Sequence, residues 1–308
     1  MKKKCSDAEF WAAWETGGSP EVQRLFGLGD RNARKRRRRL EDLYDKPLSV
    51  KRNVEHPQRI EISVPQGSVV VASDAHYWPG SITTAHKGLL HVLTAVKPAA
   101  VILNGDMCDF GQIGRHPRIG WEHQPTVIDE MQTVQLRLAE IVDCAPNAAR
   151  IWNLGNHDAR FEARLAAVAP EYENVSGLHL KDHFPAWCPS WSTWINGSVV
   201  VKHRFRSGVG AAHSNALWAG KSIVTGHTHR LLVTPFSDYN GTRFGVEGGT
   251  LAEPYGEQFR DYTEDNPSNT LPGFVVLHFH DGMLLWPEVV RVLRPGFIEF
   301  RHQIVEVG

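Results

Sequence analysis

The chain has 308 residues, 42% of them hydrophobic and 22% charged, and its 34 basic and 34 acidic side chains cancel. Those values belong to a globular chain long enough for a large core, and they exclude disordered and collagen-like classes. The charge is uneven, because residues 1–60 hold 15 Lys and Arg against 9 Asp and Glu, leaving 19 against 25 for the remainder. That division describes a basic appendage on a mildly acidic body.

In chain order, residues 6–16 read as a helix with Ser6 as N-cap, Glu9 completing a capping box, and Phe10, Trp11 and Trp14 on one face. "GGSPEVQRLF" opens a second helix at Ser19 and Pro20, with Val22, Leu25 and Phe26 facing inward. After the turn "GLGD", the run "RNARKRRRRLEDLY" reads as a third helix capped by Asp30. Two short helices, a Gly turn and a basic third helix match a helix-turn-helix layout over residues 1–42. Its DNA-binding candidates are Arg31, Arg34, Lys35, Arg36, Arg37, Arg38 and Arg39. They surround the helix, which suits phosphate binding better than base readout. A nuclear-import signal is the rival reading of so basic a run. Residues 43–58 are polar and Pro-punctuated and read as a linker.

From "RIEISV" onward the pattern changes, and residues 59–308 read as one α/β domain. "SVVVASDAH" carries a buried strand, 82–96 a helix, "AAVILNGD" a second strand, 125–143 a helix, and "ARIWNLGNHD" a third strand. Apolar runs alternating with helices indicate a parallel βαβαβ sheet covered on both faces. Further strands follow in "GSVVVKH", "KSIVTGH", "LLVTPF", "TRFGVEG", "GFVVLHFH" and "MLLWPEV". No apolar run approaches the roughly eighteen residues of a membrane span. "MKKKCSDAEFWAAW" lacks the apolar core of a secretory signal, and Cys5, Cys108, Cys144 and Cys188 show no paired spacing. Reduced thiols in the cytoplasm are the simplest expectation.

Polar residues gather where these strands end. They are Asp74 and His76, then Asp106 and Asp109, then Asn156, His157 and Asp158, then His203, then His227 and His229. Ligands of open α/β sheets bind beyond the carboxyl ends of the strands. Two pairs are spaced i, i+2, which in an extended segment puts both side chains on one side. Among the strand-end residues, four imidazoles (His76, His203, His227, His229), two carboxylates (Asp74, Asp106) and one carboxamide (Asn156) exceed what one ion with open positions needs, but suit two ions sharing a carboxylate. Mixed N and O donors favour manganese, iron, zinc or nickel over calcium or magnesium.

The ordered blocks Asp-x-His (Asp74–His76), Gly-Asp-x-x-Asp (Gly105 to Asp109), Gly-Asn-His-Asp (Gly155 to Asp158), His203 and Gly-His-x-His (Gly226 to His229) resemble the signature of calcineurin-like metallophosphoesterases. The resemblance covers about residues 60–250. It implies a four-layer αββα sandwich and two divalent transition ions, manganese foremost. One ion would take Asp74, His76 and His229, the other Asn156, His203 and His227, with Asp106 bridging. His157 would face the substrate as acid or oxyanion contact, oriented by Asp158. Asp109 would either back the site or cap a helix.

Around the site, Arg115, His116 and Arg118 would grip phosphates or sit in a solvated loop. Cys108 would pack behind the centre. Serine/threonine phosphatases of this family carry Arg and Glu where Phe110 and Asp158 stand, which ranks a phosphoprotein substrate lower. The basic appendage favours DNA, in the manner of the repair-nuclease-like branch. A small-molecule phosphodiesterase or phosphatase, and a DNA-binding protein with an inactive metal site, are the alternatives.

Overall fold

The computed structural model describes residues 5–45, 48, 58–115, 123–259, 267 and 269–308. The chain divides into two compact units, Met1–Pro57 and Gln58–Gly308.

In the first unit, α1 (Asp7–Phe26) is capped by Ser6 with the Glu9 capping box. It breaks at Gly18, whose φ of 65° and ψ of −148° no helix contains, so it is two helical pieces end to end. A left-handed Gly27 stops it, and α2 (Asp30–Tyr44) follows. Phe10, Trp14, Val22, Ala33 and Leu40 form the small core, which Leu48 also joins. Three expectations change. Gly29, not Asp30, is the N-cap of α2, and the Asp30 carboxylate is held by Arg34 instead. Leu25 is largely exposed rather than inward. Residues 43 and 44 continue α2, while most of the expected linker lies outside the described residues.

The basic helix is also less free than its sequence suggests. Arg36 turns inward, with Nη2 2.6 Å from Asp7 and 2.9 Å from the Cys5 carbonyl, and its guanidinium covers Phe10. Arg39 also reaches Asp7, and Arg37 pairs with Glu41 over the Trp14 ring. Arg36 therefore holds the unit together, a role no local pattern reveals because its partner lies 29 residues away.

The second unit is a sandwich of two mixed sheets. The larger contains β2 (Gly67–Ala72), β3 (Ala100–Leu103), β4 (Ala149–Asn153) and the short β5 (Cys188–Ser190), all parallel. On its other side β11 (Gly273–His280), β13 (Glu288–Arg294), β14 (Phe297–Phe300) and β15 (Gln303–Glu306) add antiparallel neighbours. The two-residue β12 (Met283–Leu284) pairs with the end of β11. The smaller sheet runs in the order β1 (Arg59–Ile62), β6 (Ser192–Ile195), β7 (Val199–Lys202), β8 (Ser222–Thr225), β10 (Gly241–Gly248), β9 (Leu231–Asp238).

The alternation of the pleat builds two cores from one set of strands. Val69, Val71 and Ile102 meet Val201, Val224 and Val246 between the sheets. Val70, Ala72, Val101 and Leu103 point the other way, onto Leu89 and Val92 of α3 (Thr84–Val96) and Val134 and Leu138 of α4 (Val127–Cys144). Two shorter helices, α5 (Arg160–Val168) and α6 (Leu180–His183), lie in the connection from β4 to β5. The outer face of the smaller sheet is covered by α7 (Ala211–Ala219), packed on β8, β9 and β10. Helix, sheet, sheet, helix: this is the four-layer αββα sandwich that the motif blocks imply. Among the described residues no helix is long and apolar enough to cross a membrane.

Candidate metal centre

Parallel strands deliver their carboxyl ends to one edge of the sandwich, so the segments after β2, β3 and β4 meet those after β7 and β8. Beyond the strands, Asp74 N donates to Gly105 O and His76 N to Asp106 O, holding the first two segments side by side. The chain does not continue extended there. Asp74, His76, Asp106, His227 and His229 all have positive φ, between 39° and 69°. The i, i+2 pairs thus converge through tight left-handed turns rather than through strand periodicity. Left-handed backbone is costly for residues with a Cβ and persists where the surroundings over-determine it.

Two glycines make room for this crowding. A Cβ on Gly155 would lie 2.0 Å from Asp106 Oδ1, and one on Gly105 2.4 Å from His203 Nδ1.

The proposed ligands fall into two groups. Asp74, His76 and His229 offer donor atoms within 4.8 Å of one another, and so do Asp106, His203 and His227. Asp106 Oδ2 sits 3.0 Å from His203 Nε2 and 4.0 Å from His76 Nε2, so it faces both groups. Two of these imidazoles are fixed from behind: His76 Nδ1 lies 2.9 Å from Asp109 and His203 Nδ1 2.8 Å from the Asn104 carbonyl. A donating Nδ1–H leaves Nε2 as the lone-pair atom, the tautomer a metal-binding histidine needs.

The buried atoms His76 Nε2, Asn156 Oδ1 and His203 Nε2 make no hydrogen bond. Buried polar atoms are rarely left without partners, and the two imidazole nitrogens both lie near Asp106 Oδ2, at 4.0 and 3.0 Å. Although His203 Nε2 is close to Asp106, the two do not align as donor and acceptor. The donor set, rich in imidazole and carboxylate and without thiolate, fits divalent transition ions.

The electrostatics point the same way. Burial opposes ionisation of Asp106, yet His203, His157 and His76 outweigh it and hold the carboxyl well below its usual range. Burial likewise opposes a charged His203, but Asp74 and Asp106 lift it to about 9. Positive charge is thus stabilised between these carboxylates, here as an imidazolium.

Asp109 is not a helix cap. Its Oδ1 lies 2.9 Å from His76 Nδ1 and 3.0 Å from His157 Nδ1, and its carbonyl also takes the His157 Nδ1–H at 3.0 Å, so one residue orients both rings. The expected pairing of Asp158 with His157 is not formed. Asp158 points the other way and accepts hydrogen bonds from the backbone N–H of Asp106, Met107, Cys108 and Gly155 and from Trp152 Nε1. It clamps the loop that carries Asp106, and is a positioning residue rather than a catalytic one. Burial and the Asp106 charge push its carboxyl up to about 6 against those donors.

His157 lies beside the ligand set, with Nε2 3.1 Å from Arg160 Nη2, while its own N–H donates to Asp106 Oδ1 at 2.8 Å. Burial lowers its basicity, but Asp109 and Asp106 more than compensate and raise it. Arg160, the first residue of α5, escaped sequence reasoning. Its only signal was a position three residues after His157, one helical turn along the same face. Cys108 is buried behind the centre, where burial pushes its thiol up. Arg115 borders a groove beside the site; His116 and Arg118 lie outside the described residues.

Glu130, buried on α4, was also missed. It accepts from the N–H groups of Asp109 and Phe110 and so fixes the Asp109 loop. Burial, reinforced by the Asp109 charge, pushes its carboxyl from 4.5 up to about 7. A folded-state value above the unfolded one stabilises the fold fully below pH 4.5, and that contribution is lost as pH rises through about 7. The loss is at most roughly 3 kcal/mol. In urea unfolding with chelator, wild type should therefore weaken between pH 5 and 8 by more than Glu130→Gln does. Parallel losses in the two proteins would show that Glu130 does not titrate in this window.

No protein-family model matches the chain, and no curated protein matches it. Among solved structures, it is similar to a protein serine/threonine phosphatase from Saccharomyces cerevisiae with similarity to human phosphatase PP5. The identity is 13% and the TM-score 0.36, over 78% of this chain and 85% of that one. A likeness this distant bears on neither substrate nor chemistry.

Proposed function

We propose that the chain is a metal-dependent phosphoesterase that hydrolyses phosphodiester bonds in DNA, with the basic N-terminal unit as a DNA-binding module. The observation that carries the catalytic part is Asp106 Oδ2 facing two separate donor groups, with the unpartnered Nε2 atoms of His76 and His203 beside it and a third buried acceptor, Asn156 Oδ1, left without a partner. Asp74, His76 and His229 would hold one ion, Asn156, His203 and His227 the other, and Asp106 both. Two bound divalent ions supply water activation, alignment of the phosphorus and neutralisation of developing charge. His157, with Nδ1 fixed on Asp109, would present Nε2 to the leaving oxygen as general acid. Here Nε2 accepts from Arg160 Nη2, so Arg160 must turn onto the phosphoryl oxygens for Nε2 to carry that proton. Arg160 adds a second positive group beside that atom.

For the DNA part, the support is what remains after the inward arginines are subtracted. Arg31, Lys35 and Arg38 are exposed and spaced i, i+4, i+7, one stripe along α2. Replacing these three by Ala should flatten the salt dependence of duplex DNA binding by roughly 2 to 3 log–log units, about 0.9 for each phosphate no longer neutralised. They are a better choice than Arg36, whose removal would disturb the unit's core.

The discriminating assay is turnover of a phosphodiester dye, a phosphomonoester dye and single- and double-stranded DNA, with manganese and with chelator. Chelator-sensitive hydrolysis of the diester dye and of DNA is expected. Hydrolysis of the monoester dye alone would replace the proposal with a small-molecule phosphatase.

A further inference from the structure

Two open grooves leave the centre on its Asn156, His203 and His227 side. The first is bordered by Asn156, Arg160 and Arg164. The second is bordered by His203, His227, Phe205, Arg206 and Trp191. Arg204 borders both, so the two grooves adjoin at that side chain and can be followed as one path beside the centre. Among the described residues neither groove is lined by a carboxylate. The unit's composition is acidic, so this basic lining contrasts with its net charge.

Arg160 and Arg164 stand one turn apart on α5, about 6 Å between Cβ atoms. Arg160 is already committed to His157 and the Asp109 carbonyl, but Arg164 and Arg204 are exposed. Arg206 stacks 4.1 Å over the Trp218 ring, which holds its guanidinium in place. The aromatic residues are confined to the second groove, where Phe205 is 44% and Trp191 40% exposed. Exposed aromatic faces beside cations serve unstacked bases, which a duplex does not offer. A phosphopeptide carries a single phosphate and would leave the cations on one side of the centre without a partner. A strand with a phosphate at every residue occupies both sides.

We infer that this path binds single-stranded nucleic acid across the metal centre, with flanking phosphates on Arg164 and Arg206 and bases on Phe205 and Trp191. The inference rests on the phosphodiesterase reading and names the form of its substrate. The second unit thus carries its own polyanion site, and DNA contact does not belong to the basic helix alone.

The test uses the full chain with Arg31, Lys35 and Arg38 replaced by Glu, so that the N-terminal stripe no longer contributes. Binding of a fluorescein-labelled ten-nucleotide dT strand is followed by anisotropy in chelator across a salt series. Adding Arg164→Glu and Arg206→Glu should weaken binding about tenfold or more and reduce the salt slope by roughly 1.4, about 0.7 per single-strand phosphate. Phe205→Ala should cost about fivefold or more by removing a stacking face, with the salt slope unchanged. An unlabelled duplex should compete less well than an unlabelled strand.

Equal affinity and slope with and without the charge reversals would overturn the path, as would tighter binding of duplex. Diester-dye turnover separates the two proposals. A chain that hydrolyses the dye but ignores the reversals loses only the path. A chain that binds the strand as described without hydrolysing the dye loses the phosphodiesterase reading, and the path stands as a binding site.

Discussion

Asp106→Asn should empty both metal positions and lower phosphodiester turnover by at least about 10³-fold, beyond the 10²–10³ typical of removing one electrostatic contact. Asp106 Oδ2 faces His203 on one side and His76 on the other, so one change removes the shared anionic donor of both groups. The carboxamide is isosteric, and its oxygen still accepts from His157 N, as Asp106 Oδ1 does at 2.8 Å. The loop is also held by Asp158, which takes the N–H groups of residues 106 to 108. The variant should therefore fold, with the near-UV circular dichroism of the wild type. Metal analysis after dialysis against manganese reads the outcome directly. Retention of two ions would mean that Asp106 does not bridge.

His157→Ala should behave in the opposite way, keeping its metal while losing roughly two to four orders of magnitude in turnover of an alkyl phosphodiester. Its ring contacts Asp109 and Arg160, and it shares donor-atom proximity with His76 and Asp109 but not with Asp74 or Asp106. The loss should shrink for aryl diesters, whose leaving oxygens need little protonation. Asp109→Asn is the less informative variant because the same carboxylate also orients His76, mixing metal affinity with catalysis. Unchanged turnover of the alkyl diester in His157→Ala would remove His157 from the chemistry.

The location of this site was legible because parallel strands all end at one edge, so Asp74, Asp106, Asn156, His203 and His227 had to meet if β2, β3, β4, β7 and β8 were strands. How they meet was not legible. Left-handed turns at Asp74, His76, Asp106, His227 and His229 are a tertiary outcome, enforced by the facing loops rather than by local propensity. The same limit explains the misassigned Asp158. In "GNHD" two adjacent polar side chains compete for the interior, and only the five donors gathered from the 106–108 loop, Gly155 and Trp152 decide between them.

On the basic helix, the sequence displays seven cations with equal emphasis, yet Asp7 and the Cys5 carbonyl draw Arg36 inward from a distance of about thirty residues. Strands β5 and β6 escaped notice because three or four residues, interrupted by Pro189 and Trp191, carry too little alternation to register.

Manganese loading of the wild-type chain, followed by metal analysis and electron paramagnetic resonance on the same sample, addresses the dinuclear centre without relying on activity. Two ions per chain with a spectrum of exchange-coupled pairs is the predicted result, since ions sharing a carboxylate lie roughly 3.5–4 Å apart. One ion per chain, or two with the spectrum of isolated ions, would contradict it.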